Sequence, residues 1–529
     1  MIFIPGSDLA FVRAVSQLNY TNPFLQERLD LERAALGDEF VAEPHGYWSF
    51  TAEQITERRS NLVRITDKAR PIAQRLRDKL IDGASTSDNE LLLYDDLVLY
   101  ILFYEMLETW GKRSSATSND NAEDLNGWKR FSAQFDFWLK LPMRKLPSAT
   151  QKTHLFALFN QIYRAFFNIF ECVIGQSLPA AQLRAGIWQS IFTHDLRRFR
   201  RSLYRTLHQV TTLVTGPSGS GKELVAQAIG MSRYVPFDPR QGKFSADPAD
   251  SYFAINISAF SKNLVESELF GHAKGAFTGA AGARAGWLEA CGTHGAVLLD
   301  EIGELDTATQ VKLLRVLQNR QYQRIGETKM REFQGKMIAA TNRDLRREIE
   351  AGAFREDLYY RLCSDVIETP SLVLQIRDNP EVLANLVAHI AGWIAPEEKV
   401  ALTEEVVEWL HRNLPPDYLW PGNIRELEQC VRNIMIHGRY ESSATASQKS
   451  TADALNADQS AAAHALVDQM QSLSLTADEL LCHYCKMAYQ QTRSFEKAAK
   501  RLQLDRRTVR AKADLAGGFE LLRDSEVSQ

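Results

Sequence analysis

The sequence predicts a multidomain chain: a helical amino-terminal region, a central α/β layer with a small helical domain after it, and a compact helical module at the carboxyl end. Three observations carry this expectation. The chain has 529 residues, 45% hydrophobic and 24% charged, a globular composition and too long for one ordinary core. Apolar residues recur at helical spacing up to about residue 172, whereas from Thr211 to Thr369 short β-branched runs alternate with amphipathic stretches. A serine- and alanine-rich stretch then sets the final segment apart.

Within residues 1–172 the opening MIFIPGSDLAFVRAV lacks a basic flank followed by a sustained apolar run, so no secretory leader is expected. The most apolar run, Leu91–Leu107, contains Asp95, Asp96 and Glu105. Its uncharged part falls short of the roughly 20 residues that a membrane span needs, which predicts a buried helix in a soluble, cytoplasmic protein with no membrane partner. THLFALFNQIYRAFFNIF places Leu155, Phe159, Ile162, Phe166, Ile169 and Phe170 on one wide face, suited to a core or to a partner subunit. Of six cysteines only Cys482 and Cys485 form a CxxC, and the one nearby histidine, His483, lies between them. Helix-packing thiols are expected, without zinc.

From 173 to 370 the runs TTLVTG, SYFAINIS, GAVLLDE and KMIAATN are apolar enough for burial on both faces and are separated by helices, the pattern of a parallel sheet. Residues 371–438 read as a small helical domain. ESSATASQKSTADALNADQSAAA, within 439–475, has too few large apolar residues to fold alone and reads as a linker. Residues 476–529 form the terminal module.

The chemistry concentrates at the ends of these strands. TTLVTGPSGSGKELVAQAIG sets Gly216, Pro217, Ser218, Gly219, Ser220, Gly221 and Lys222 between a strand and a helix, matching GxxxxGK. Glycines let successive amides turn toward one anion, the helix adds its positive end, and Lys222 reaches the outer phosphates. The expected guest is a nucleoside triphosphate. Glu223 stands where Ser or Thr usually meets magnesium, although a carboxylate is also a hard oxygen ligand. GAVLLDE runs an apolar strand into Asp300, placed to hold Mg2+ through water, and Glu301, placed to orient or deprotonate the attacking water. AATNRDL presents Asn342 at a strand end, to sense the γ-phosphate or to position water, and AINIS presents Asn256 as a hydrogen-bond partner for Glu301; each asparagine also reads as a simple turn residue. GAFREDLYYRL carries Arg355 and Arg361, either in local ion pairs or reaching a neighbour's γ-phosphate. WPGNIRELEQCV offers Asn423 as a helix N-cap and Arg425 in the first turn, where a cation opposes the helix dipole unless an anion is bound. GHAKGAFTGA sets Phe277 on a loop between Gly275 and Gly279, with no evident core to join.

In this order the motifs resemble an AAA+ ATPase. Residues from about Val173 to Gly438 are similar to the central domain of bacterial enhancer-binding proteins, the activators of sigma-54 RNA polymerase: IGQS, ESELFGHAKGAFTGA, GTHGAVLLDEIGELD, QVKLLRVLQ, AATNRDL, FREDLYYRL and WPGNIRELE. The resemblance implies an α/β AAA+ P-loop NTPase core with a helical lid, ATP and Mg2+ as ligands, and a ring oligomer, usually a hexamer. It implies contact with the sigma-54 holoenzyme through Gly275, Ala276, Phe277, Thr278, Gly279 and Ala280. Lys222, Asp300 and Glu301 would bind and hydrolyse ATP, and Asn256 would switch Glu301. Asn342 would be the first sensor and Arg425 the second, with Arg355 and Arg361 acting across the subunit interface. Glu223 agrees with the family's form of the phosphate loop. Two departures stand out: RYVPFDPRQGKFSADPAD before the AINIS strand is longer than the family leads one to expect, and residues 1–172 show no receiver-domain pattern.

The net charge of -4 requires any DNA contact to come from a local basic patch. SFEKAAKRLQLDRRTVRAKADLAGG supplies one and looks like the Fis-type helix-turn-helix that usually ends such activators. Ala498 and Ala499 permit close packing, Leu502, Leu504 and Val509 face inward, and Gln503 stands where the turn often has glycine. Arg506, Arg507 and Thr508 lie nearest the base edges, and Arg510 adds to the basic second helix. Lys500, Arg501 and Lys512 are suited to phosphates of upstream enhancer DNA. The expectation is an ATP-hydrolysing transcription activator. Two other readings stay open: an AAA+ remodelling ATPase acting on another protein, and a DNA-binding repressor with a silent nucleotide site.

Overall fold

A computed structural model describes residues 3–42, 60–110, 121–142, 144–278, 280–440, 477–492 and 494–515. Residues up to Arg439 form one compact unit and those from Tyr440 a second; each is described by itself. The linker expected over 439–475 lies, past Tyr440, outside the described residues.

The first unit is built on five parallel strands: β1 (Thr212–Thr215), β2 (Tyr252–Asn256), β3 (Ala296–Asp300), β4 (Lys336–Thr341) and β5 (Asp365–Glu368), in the order β5-β1-β4-β3-β2. Side chains alternate across a pleated strand, and the two faces meet different cores. Along β3, Ala296 and Leu298 join one apolar cluster while Val297 and Leu299 join another. The second face is covered by α10 (Lys262–Phe270) and α11 (Thr307–Asn319). The first face is covered by α9 (Lys222–Met231), and behind α9 the same cluster continues without interruption into the amino-terminal helices.

Those helices are α1 (Gly6–Leu18), α2 (Gln26–Leu36), α3 (Ser60–Ile81), α4 (Asp88–Trp110), α5 (Asn121–Leu139), α6 (Lys152–Cys172), α7 (Leu178–Phe192) and α8 (Leu196–Arg201). Residues on both sides of position 172 therefore share one core: Phe11, Leu97, Phe156 and Ile169 belong with Ile187, Phe199, Val225 and Ile338. The apolar run of α4 is buried as expected, and no described helix is long and apolar enough to cross a membrane. Its two acids are buried with it. Asp96 accepts from Ser16 Oγ at 2.6 Å, Tyr20 OH at 2.5 Å and Arg197 Nη2 at 2.7 Å. Asp95 accepts from the Ser148 amide at 3.1 Å and from its hydroxyl at 2.6 Å. A buried carboxylate is tolerable only when so satisfied, and Arg197 ties α4 to α8, which leads toward β1. The aromatic face of α6 is core: Leu155, Phe159, Ile169 and Phe170 are buried, with Ile162 and Phe166 packed at its margin. The long segment before β2 forms a ribbon, Phe237–Asp238 against Lys243–Phe244.

After the sheet, α12 (Glu356–Leu362) precedes β5, and α13 (Leu372–Asp378), α14 (Glu381–Ile394), α15 (Lys399–Asn413) and α16 (Asn423–His437) form the small helical domain. The second unit holds α17 (Ala477–Thr492), α18 (Phe495–Leu502) and α19 (Arg506–Leu515) around Cys485, Ala488, Ala498, Ala499 and Val509. Cys482 and Cys485 are free, buried thiols.

Candidate nucleotide site and its neighbouring loops

Parallel strands end on one edge, and that edge collects the residues singled out in the sequence. β1 runs into Gly216, Gly219 and Gly221, with φ of 141°, 73° and 91°, values that L side chains rarely adopt. Space excludes side chains at two of them as well. A Cβ on Gly216 would lie 2.1 Å from Thr369 Oγ1, and one on Gly219 would lie 2.2 Å from Gly422 O. Lys222 opens α9, and its Nζ donates to the carbonyls of Gly216 at 3.1 Å and Pro217 at 3.0 Å. Burial pushes the Lys222 ammonium down from its ordinary value, while Glu301 and Asp300 pull it back up. The lysine is thus folded into its own loop beside two carboxylates, a cationic cradle at a helix N-terminus that fits a phosphate chain.

Asp300 ends β3. Glu301 follows in the left-handed region at φ 55° and receives the Asn342 amide at 3.5 Å, so the acid and the residue after β4 meet across the sheet edge. Asn256 is a correction to the expectation. Its Nδ2 donates to Asp300 Oδ2 at 3.2 Å rather than to Glu301, and its Oδ1 accepts from the Ser258 amide and hydroxyl. The cause is register: β2 and β3 pair Asn256 directly with Asp300. The donor set of Asp300, Glu301 and Glu223 consists of hard oxygens, as Mg2+ requires.

Asn423 is the second correction. It does not cap α16 from outside but is the helix's first residue, at φ 51°, with Gly422 at the N-cap. Its side chain has distant partners: Oδ1 accepts from the Leu372 amide at 2.8 Å, and Nδ2 donates to Ser218 O at 2.9 Å. The Ile424 amide donates to Gly219 O at 3.1 Å and Arg425 Nη1 to Ser218 Oγ at 3.3 Å. Three successive lid residues therefore grip the phosphate loop. Thr369, directly after β5, holds it as well: its Oγ1 lies 2.6 Å from Ser220 Oγ and donates to Thr215 O, at the end of β1, at 3.1 Å. Sequence reasoning missed Thr369 and the true partners of Asn423. The only local signal was a polar residue following a strand.

Arg355 caps α12 and pairs with Asp357 at 2.7 Å, while Arg361 lies exposed in the helix's last turn. The loop carrying Phe277 rises from a ribbon, Gly271–His272 against Arg284–Ala285. Phe277 is 45% exposed, touched by the His272 ring at 5.0 Å. Gly275 has φ 79°, open space around it and a hydrogen bond to Ala280 O at 2.9 Å; Thr278 is exposed. Gly279 lies outside the described residues. A second loop, stemmed by Gln321–Tyr322 against Arg331–Glu332, abuts the first. A Cβ on Gly326 would sit 2.9 Å from Ala276 Cβ.

In the second unit α18 ends at Gln503 with φ 54°, the left-handed turn that glycine usually fills. Asp505 Oδ1 accepts the Arg507 amide at 2.7 Å and opens α19. Lys500, Arg501, Arg506, Arg507, Thr508 and Arg510 are exposed, whereas Lys512 is half-buried.

Residues 193–368 match the sigma-54 interaction domain family. The chain is 39% identical over 244 residues to the regulatory protein LuxO of Vibrio cholerae, covering 45% of this chain and 49% of that one. It is 41% identical over 238 residues to the transcriptional regulatory protein ZraR of Escherichia coli, covering 44% and 49%. The chain thus spans about half the length of these curated relatives. A solved structure of NtrX from Brucella abortus aligns with 69% of this chain and 76% of its own at 22% identity and a TM-score of 0.40. The matched domain and the relatives agree with what the phosphate loop, the acid pair and GAFTGA imply: residues 193–368 are similar to the sigma-54 interaction domain.

Proposed function

We propose that the protein is an ATP-hydrolysing transcription activator that binds upstream DNA and remodels the closed complex of sigma-54 RNA polymerase. One observation carries this reading: Lys222, Asp300, Glu301 and Asn342 converge on one sheet edge, in the same unit as an exposed GAFTGA phenylalanine. Lys222 binds the outer phosphates and Glu301 orients the attacking water, with its position read by Asn342. Mg2+, held by Asp300 through water, would neutralise charge on the phosphate oxygens. Asn256 tunes Asp300 directly, and Glu301 only through it. Arg425 senses the phosphates from the lid; Arg355 and Arg361 reach the neighbouring subunit of a hexameric ring. Phe277 and Thr278 meet sigma-54, since an apolar side chain left exposed on a loop suits a transient protein partner. The helix α19 enters the DNA groove with Arg506, Arg507 and Thr508.

The test is ATP turnover and ATP-dependent open-complex formation with sigma-54 polymerase, in the full chain and in Lys222→Ala. Turnover that disappears in the variant together with promoter opening is expected. Turnover without any opening points to a remodelling ATPase with another partner, and promoter binding without turnover points to a repressor; either result overturns the proposal.

A further inference from the structure

Helix α9 begins at Lys222, and its other end is finished by side chains from α6. Arg164 is 8% exposed. Its Nη1 donates to Met231 O and its Nη2 to Arg233 O, both at 2.7 Å, while Nε is held by Asn160 Oδ1 at 3.0 Å. Gln161 Nε2 donates to Ser232 O at 3.0 Å, and Asn168 Nδ2 to Ser232 Oγ at 3.1 Å. The last carbonyls of a helix have no partner within it, and its negative end favours a cation. Burial pushes the Arg164 guanidinium down to about 10, against the pull of Asp247 and Asp124, so it stays charged at neutral pH.

Geometry makes this more than a local cap. Ten residues of helix span about 15 Å and move as a rod, so the arginine at one end and the phosphate loop at the other are rigidly linked. The opposite flank is closed, because a Cβ on Gly230 would lie 2.5 Å from the Tyr252 ring. α9 is wedged between β2 and α6 and has little room to settle elsewhere. A second attachment is independent of Arg164. The ribbon of the long segment before β2 sets Phe237 4.7 Å from the Phe156 ring and 5.2 Å from Trp128, and a Cβ on Gly242 would lie 2.8 Å from Leu125. The segment that departs from family length is therefore where α5 and α6 hold the ATPase unit.

We propose that Arg164 is a positioning residue for nucleotide binding, and that residues 1–172 are a working part of the nucleotide site and not a detachable sensor. The inference rests on the nucleotide reading above. Its test uses the full chain, with Arg164→Met, Arg164→Lys and the milder Gln161→Ala. Affinity for a fluorescent ATP analogue is measured beside hydrogen exchange at peptides covering 216–223 and, as a control, 93–106. Arg164→Met is expected to weaken nucleotide binding by roughly tenfold, the effect of about one net charge-assisted hydrogen bond. Exchange should rise at 216–223 while 93–106 is unchanged, and Arg164→Lys should recover part of both. Wild-type affinity, or faster exchange confined to 229–234, overturns the proposal. If Arg164→Met does not fold, Gln161→Ala decides by the same two readouts, with a smaller change in the same direction supporting the proposal and none overturning it. If the wild-type chain binds no nucleotide, the proposed function fails, and exchange at 216–223 alone still decides whether α6 seats the loop.

Discussion

Replacing Asn423 separates two contributions that the structure superimposes at one residue. The residue is 3% exposed, at φ 51°, with its amide bound to Leu372 and Ser218. Asn423→Ala removes both side-chain hydrogen bonds, leaving the buried Leu372 N–H and the more exposed Ser218 C=O without that partner, a loss of about 1–1.5 kcal/mol each. It also puts a less tolerant residue in the left-handed region, for about 1 kcal/mol more. The sum is about 3–4 kcal/mol of local stability. Asn423→Gly loses the same hydrogen bonds but meets the backbone angle freely, so it should lose about 2–3 kcal/mol. The assay is hydrogen exchange of the Leu372 amide, which donates directly to Asn423 Oδ1, together with amides of the phosphate loop. At about 1.4 kcal/mol per decade, protection at Leu372 should fall by more than two orders of magnitude in Asn423→Ala and by slightly less in Asn423→Gly. Nucleotide affinity should fall in both, because the lid then loses one of its two holds on Ser218 and keeps only that of Arg425. Wild-type protection in the glycine variant would refute the hydrogen-bond account, and equal values for the two variants would refute the backbone term.

Two further outcomes are expected. Thr278→Ala, on an exposed loop, should keep ATP turnover largely intact and lose open-complex formation; preserved promoter opening would remove the loop from the polymerase contact. Asp95 titrates in a direction set by burial, which raises its carboxyl from 3.8 to about 6. The folded state then binds the proton more tightly than the unfolded state, so this group's contribution is greatest below about pH 4 and is lost as pH rises to about 6. Asp95→Asn removes the titration, so its stability relative to wild type should climb by about 3 kcal/mol across that window and then level off. Urea unfolding at a series of pH values reads this, and a flat difference would contradict it.

How far the sequence reached depended on whether a feature is local. The phosphate-loop glycines, the acids ending β3 and the left-handed Gln503 are each set by a few neighbouring residues, and they stand where the motifs put them. The alternation that sends Leu298 and Leu299 to opposite cores follows from the two-residue period of a strand. Strand neighbours, by contrast, are not written in spacing. Asn256 bonds Asp300 and not Glu301 because a parallel register brings residues 44 positions apart level with each other.

Asn423 shows the same limit more sharply. From sequence it is a capping residue; in the fold it is a bridge to partners 51 and 205 positions away. Arg164 gave no signal at all, being one basic residue in an aromatic helix, yet it closes the helix that carries Lys222 from 67 positions upstream. Which residues suit phosphate chemistry is legible without a fold, because backbone freedom, charge and hydrogen-bonding capacity belong to each residue and its neighbours. How those residues are held, with the amino-terminal helices doing part of the holding, emerges in the folded chain, because such contacts arise from packing between distant segments.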